Sequence, residues 1–177
     1  MRSRLAGGFT LIEVLVALCV LTIGALGAAA MQLSALRARH QSGLASSAVQ
    51  LAGSLADSMR ANRVAMQAGD ALNPYLQLRY DAQTDGPPQP PGALCHAGAP
   101  CTALQLAEAE AYHIKDALRT QYPGGRVVVC RDSAAELNWA CDGAAGAPVV
   151  IKIGWRGQEA GAAAQPRVAL ALPGAAG

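Results

Sequence analysis

The sequence predicts an α+β fold: a long N-terminal helix packed on a small antiparallel sheet, with a second helix on the same head. Three observations carry that expectation. An apolar run without a charge opens the chain, from Val14 to Met31. No proline occurs before Pro74, so a helix begun in that run can continue well past it. After a second helical pattern that starts near Thr102, valine-rich runs recur at the spacing of a meander. The chain has 177 residues, 52% hydrophobic, 15% charged and 4% aromatic, which leaves room for one ordinary domain plus an appendage. With 14 Lys+Arg against 12 Asp+Glu the formal charge is +2, too small for nucleic-acid binding driven mainly by charge. So few charges in so apolar a chain also argue against extensive disorder.

The first element is preceded by a short basic stretch, residues 1–8, which carries Arg2 and Arg4. The run is 18 uncharged residues long from Val14, or 23 residues counted from Phe9 to Met31 with Glu13 included. At about 1.5 Å per residue either length approaches or exceeds what crosses a ~30 Å hydrocarbon layer. A basic start, an apolar run and the triplet Ala28-Ala29-Ala30 also satisfy the cleavage pattern of a secretory signal. Two residues weigh against that reading. Gly8 directly precedes the run, where a secretory signal has no need of it, and Glu13 lies inside the run. An acidic group costs about 2.5–3.5 kcal/mol near the centre of a membrane helix, and less near its end. A cut between Gly8 and Phe9 would supply a partner, because Phe9 would then carry an α-amine four residues before Glu13 on the same helical face. Within one helix that pair forms only weakly. Between subunits, the Glu13 carboxylate can neutralise a neighbour's Phe9 amine, an arrangement that favours correct register more than raw stability.

The segment Gly8-Phe9-Thr10-Leu11-Ile12-Glu13, at the start of a hydrophobic helix, resembles the class III leader junction of type IV prepilins and type II secretion pseudopilins. The resemblance implies that a prepilin peptidase cuts between Gly8 and Phe9 and N-methylates Phe9, and that Glu13 guides assembly. It also implies a pilin-like organisation: a leader over 1–8, a transmembrane and assembly helix over 9–31, an amphipathic continuation over 32–65, and a periplasmic head over 66–177. Loss of Arg2 and Arg4 with the leader brings the basic side chains level with the acidic ones. Those two arginines favour a cytoplasmic leader. Arg37 and Arg39 on the far side oppose that count, so the orientation rests on the resemblance.

Beyond Met31, the residues Leu33, Leu36, Leu44, Ala48, Leu51, Leu55 and Met59 predict one buried stripe, with Arg37, Ser47, Asp57 and Arg60 on the opposite side. A helix from Phe9 to about Arg63 would run roughly 80 Å. Gly24, Gly27 and Gly43 each weaken it by up to about 1 kcal/mol, and Gly24 with Ala28 forms a small-residue ridge that permits close helix packing. Asn73-Pro74 breaks the pattern, and Tyr75–Tyr80 reads as a short strand or irregular segment. Residues 81–100 form a surface loop rich in proline and glycine, centred on Pro87-Pro88-Gln89-Pro90-Pro91-Gly92. Thr102-Ala103-Leu104-Gln105 reads as a capping box that opens the second helix. Its stripe is Leu104, Ala107, Ala111, Ile114 and Leu118, and Tyr122-Pro123-Gly124-Gly125 stops it. The runs Arg126–Cys130, Pro148–Trp155 and Arg167–Leu172 read as strands, with Leu137–Cys141 as a candidate fourth.

The run Asp57–Arg63, and the later order of Cys-Thr helix, Tyr-Pro-Gly-Gly turn, Cys130 strand and Val-Ile-Lys-Ile-Gly-Trp155, resemble the PilV-type minor pilins, a type IV pilus modification subfamily. That resemblance implies a low-abundance subunit of a tip or priming complex, with a part in twitching motility. It places the chain in the inner membrane, head in the periplasm, and then in the pilus at the cell surface. The implied partners are the prepilin peptidase, other minor pilins and the major pilin, the inner-membrane assembly platform, and membrane lipid before assembly. In an oxidising periplasm Cys95, Cys101, Cys130 and Cys141 are expected to form disulfides, sequential pairing being preferred among three connectivities. Each would contribute roughly 2–3 kcal/mol in the chain-entropy account. Cys19 reads as a small apolar residue of the membrane helix. Metal ligation by Cys95, His96 and Cys101, with His113 nearby, is the alternative, but the spacing matches no strong zinc pattern. Asp132 with Glu136, and Glu108 with Glu110, read as solvated surface charges. No cofactor, metal, nucleic acid or catalytic activity is expected. A type II secretion pseudopilin, and an adhesive or DNA-uptake pilin, remain as rival readings.

Overall fold

The structure, a computed structural model, describes Gly8 and residues 10–95, 100–134, 136–157 and 165–172. Its elements are α1 (Leu11–Ala61), α2 (Arg63–Gln67), a 3-10 turn (Asp70–Leu72), β1 (Arg79–Asp81), α3 (Ala103–Gln121), β2 (Arg126–Arg131), β3 (Val149–Gly154) and β4 (Val168–Leu172). The architecture is the expected α+β, pilin-like one, a long N-terminal helix packed with a four-stranded antiparallel sheet. Two compact units divide the chain, Met1–Ser42 and Gly43–Gly177.

In the first unit, Thr10 O accepts from Glu13 N at 3.1 Å and Val14 N at 3.3 Å, which opens α1. From Leu11 to His40 every residue of the helix is exposed. The hydroxyl of Thr22 donates to Cys19 O at 2.9 Å, so the apolar stretch carries no unsatisfied hydroxyl proton. The buried stripe expected from Leu33 onward does not start there: Leu33 is 49% and Leu36 61% exposed. The described part of this unit is a single helix, which offers those leucines nothing to pack against.

The stripe begins in the second unit, where α1 buries Leu44, Ala48, Ala52, Leu55, Ala56 and Met59. Steps of three and four keep these residues on one face. Three are alanines, which let the helix backbone approach its neighbours closely. They share a core with Tyr75, Leu78, Leu118, Val127, Val129, Val149, Ile151, Ile153 and Trp155. Tyr122 ties α3's end to α1 by donating its hydroxyl proton to Ser47 Oγ at 2.9 Å. Helix α1 ends at Ala61, short of Arg63, because Asn62 caps a new helix: its Oδ1 accepts from Ala65 N at 3.2 Å.

The strand order is β1-β2-β3-β4, all antiparallel. The fourth strand is therefore Arg79–Asp81, from the segment after Pro74, and not Leu137–Cys141. Both ladder edges of β2 are taken, by β1 (Tyr80 opposite Val127) and by β3 (Val129 opposite Ile151), so residues 137–141 have no backbone to pair with there. Helix α3 has the predicted capping box, with Thr102 Oγ1 accepting from Gln105 N at 3.2 Å and Gln105 Oε1 from Thr102 N at 2.9 Å. It buries Ala107, Ala109, Ala111, Ile114 and Leu118; Leu104, in its first turn, stays 39% exposed. The turn that follows requires Gly125, where a Cβ would lie 2.5 Å from Leu118 O. Leu118 has no exposed surface at the centre of this packing. Leu118→Ala is expected to cost about 2–5 kcal/mol and Thr102→Ala about 1 kcal/mol, read as shifts in urea midpoint of the detergent-solubilised chain.

Candidate functional site

The candidate assembly segment is the start of α1. Gly8 is exposed, and a Cβ added to it would meet nothing within 4 Å. Nothing in the described chain thus demands glycine at this position, and any such demand comes from a molecule that acts on it. Phe9, the expected site of cleavage and methylation, lies outside the described residues, as do Arg2 and Arg4. Glu13 sits in the first turn of α1, where a carboxylate complements the partial positive charge of the helix's amino end. Its side chain is exposed and has no hydrogen bond or ion pair among the described residues. Around it Leu11 (79%), Ile12 (70%) and Val16 (57%) present apolar surface to the outside. Among the described residues α1 is the one helix long and apolar enough to cross a membrane. One uncompensated carboxylate thus stands at the head of a helix whose apolar stretch, Val14–Met31, buries none of its own surface.

Residues 3–29 match the profile of the prokaryotic N-terminal methylation motif. Residues 30–112 match the family described as type IV pilin Tt1218. The two matches run without a gap from the leader into α3. Together these matches support a type IV pilin with a prepilin methylation motif. No curated protein and no solved structure matches it. The methylation motif covers Gly8, Phe9 and Glu13, and the pilin match ends at Tyr112, before β2. A prepilin leader implies processing by a prepilin peptidase and assembly with other pilins, and with the apolar α1 it fits membrane anchoring. The pilin family is structural, not enzymatic.

In the pilin's head the disulfides join Cys95 to Cys101 and Cys130 to Cys141, with Cα–Cα separations of 5.8 and 6.3 Å. With the Cys95 and Cys101 sulfurs bonded to each other, they are not metal ligands; His96 lies outside the described residues. Among the described residues no group of three or more His, Cys, Asp or Glu side chains is placed to hold a metal.

The second disulfide anchors an excursion between β2 and β3 that covers the sheet's outer face. Lys152, in the middle of β3, lies on that face because its neighbours Ile151 and Ile153 point into the core. Its ammonium is buried and donates to Asp132 and to Ala140 O. Trp139 lies beside it, with the Arg126 guanidinium 4.4 Å from the ring centroid. Gly154 makes room for that indole, since a Cβ there would come within 2.8 Å of it. The Lys152 hydrogen bond, larger than the opposing effect of burial, holds the Asp132 carboxyl below its ordinary range. Asp132 is therefore no solvated surface charge: it is 3% exposed.

Glu110 also departs from the sequence reading, for it accepts the buried Tyr75 hydroxyl. Burial first, and this carboxylate second, push the Tyr75 phenol well above its usual range. Asn62 completes the cluster by donating to Ala103 O at 2.7 Å and to Tyr75 Oη at 3.4 Å. The run Asp57–Arg63 thus contains, in Asn62, the residue that links the end of α1 to the start of α3. Its Arg63 belongs to α2, which leaves Arg60 as the basic residue of α1's last turn.

The unfolded chain binds a proton at Asp132 below about pH 3.9, whereas the fold resists it until lower pH. The contribution of Asp132 is therefore complete above that value and is lost as pH falls through the lowered folded value. Lys152→Met, which strands the buried carboxylate, is expected to cost about 3–5 kcal/mol at pH 7. Asp132→Asn should flatten the loss of stability between pH 5 and pH 2. Urea midpoints across that pH range check both.

Proposed function

We propose that this pilin is a minor subunit that joins or primes type IV pilus assembly in a tip complex. Prepilin peptidase cuts between Gly8 and Phe9 and N-methylates Phe9, and the Glu13 carboxylate of one subunit then pairs with the Phe9 amine of a neighbour. The observation that carries this reading is Glu13 itself, a charge without a partner among the described residues on an apolar, uncovered helix face. Lipid tolerates such a helix but penalises the charge. A bundle of like helices with an amine at the matching height removes the penalty, and a misplaced subunit leaves it standing, so register is selected. The leader faces the cytoplasm and the head the periplasm, and the subunit leaves the inner membrane through the assembly platform to meet other minor pilins and the major pilin. The minor role is supported by the likeness to PilV-type sequences in residues 57–63 and in the order of elements from Cys101 to Trp155. The disulfides of the head suit an oxidising compartment.

Mass spectrometry of the protein from native cells should find N-methylated Phe9 as its first residue; a first residue of Met31 would show a secretory signal instead. Glu13→Ala is expected to reduce incorporation into pili at least about tenfold, the effect of a lost contact worth ~1.4 kcal/mol or more, while leaving cleavage intact. Normal incorporation of that variant overturns the pairing mechanism. Deletion should abolish or shorten pili, and a loss confined to protein secretion would assign the subunit to a type II system.

A further inference from the structure

The head carries a groove that pilus assembly does not explain. It lies between α3, the segment Ala71–Gln77 and the proline-rich loop, and has a volume of about 500 Å³, within the ~300–1,000 Å³ of small-ligand pockets. Steps of four and three along α3 bring Glu108, Tyr112 and Lys115 to the same wall. Gln89 enters from the loop and Gln77 from the segment opposite.

We propose that this groove binds a short neutral saccharide. A sugar ring offers apolar C–H faces and a rim of hydroxyls that both donate and accept hydrogen bonds. The lining answers both. The Tyr112 ring and Pro91 give flat apolar surface, while two amides, one carboxylate and one ammonium give donors and acceptors around it. These polar groups are not consumed by the fold: Gln89, Glu108 and Lys115 have no hydrogen bond or ion pair among the described residues. Gln77 is held in place by donating from Nε2 to Asp70 O at 2.9 Å, which leaves its Oε1 as an acceptor. Glu108 and Lys115 balance each other, so the site selects neither an anion nor a cation. A phosphate or polyanion would call for several cations, and only one is here. An extended peptide would call for a strand edge, and no strand contributes to the lining.

The full-length protein, in a detergent without a sugar headgroup, is screened against an array of neutral glycans. Hits are confirmed by saturation-transfer NMR. Binding at or below millimolar concentration is expected, weakened roughly tenfold or more by Tyr112→Ala and by Glu108→Gln. Urea midpoints show that these variants are folded, and Glu136→Gln, in the excursion over the sheet, should leave binding unchanged. The proposal is overturned if no neutral glycan binds at millimolar concentration, if the two groove variants bind as well as the parent, or if the groove takes only anionic glycans or peptides.

Discussion

Helix α1 must be stable in two different surroundings, and that constraint organises the pilin. Up to His40 it exposes its side chains on all sides, and from Leu44 it buries a single stripe. An all-round apolar surface is stable only against lipid or other helices of its kind. A stripe is stable only against a core. In lipid, the one charge near the amino end of α1, Glu13, would be the feature that the apolar half cannot accommodate by itself, and the proposed assembly mechanism rests on it.

The head faces the opposite difficulty. With few aromatics and three alanines at the α1 contact, its core relies on close approach more than on large side chains. Polar ties supplement it at the places where chain segments meet. Asn62, Tyr75 and Glu110 join the end of α1 to α3, and Tyr122 joins α3's end to Ser47. On the sheet's far side, the Cys130–Cys141 disulfide and the Lys152–Asp132 pair hold the β2–β3 excursion down, so that both faces of β3 are buried. A buried ion pair of this kind adds little net stability over an apolar pair, but it is costly to break on one side. It therefore specifies where the excursion lies more than it strengthens the fold.

Much of this was legible in the residues because it is local. The capping box at Thr102, the stripe of α3 from Ala107 to Leu118, and the three valine-rich strands depend on neighbours within one turn or one alternation. The Gly8 to Glu13 segment was legible for a different reason: a charge inside an apolar run is conspicuous wherever it occurs. Leu33 and Leu36 misled, because a helical period shows which face is apolar but not whether anything covers it. Leu137–Cys141 misled because strand propensity says nothing about which ladder edges are vacant.

The sequence by itself determined the α+β class, the membrane-competent helix with its leader segment, and the limits of the second helix, all of which follow from periodicity, caps and breakers along the chain. The tertiary structure alone decided where the α1 stripe begins, that Arg79–Asp81 supplies the fourth strand, and that Lys152 and Asp132 are buried together. Periodicity would put Lys152 in solvent. It is buried because a segment ten to twenty residues earlier folds over it, and no pattern local to Lys152 records that contact.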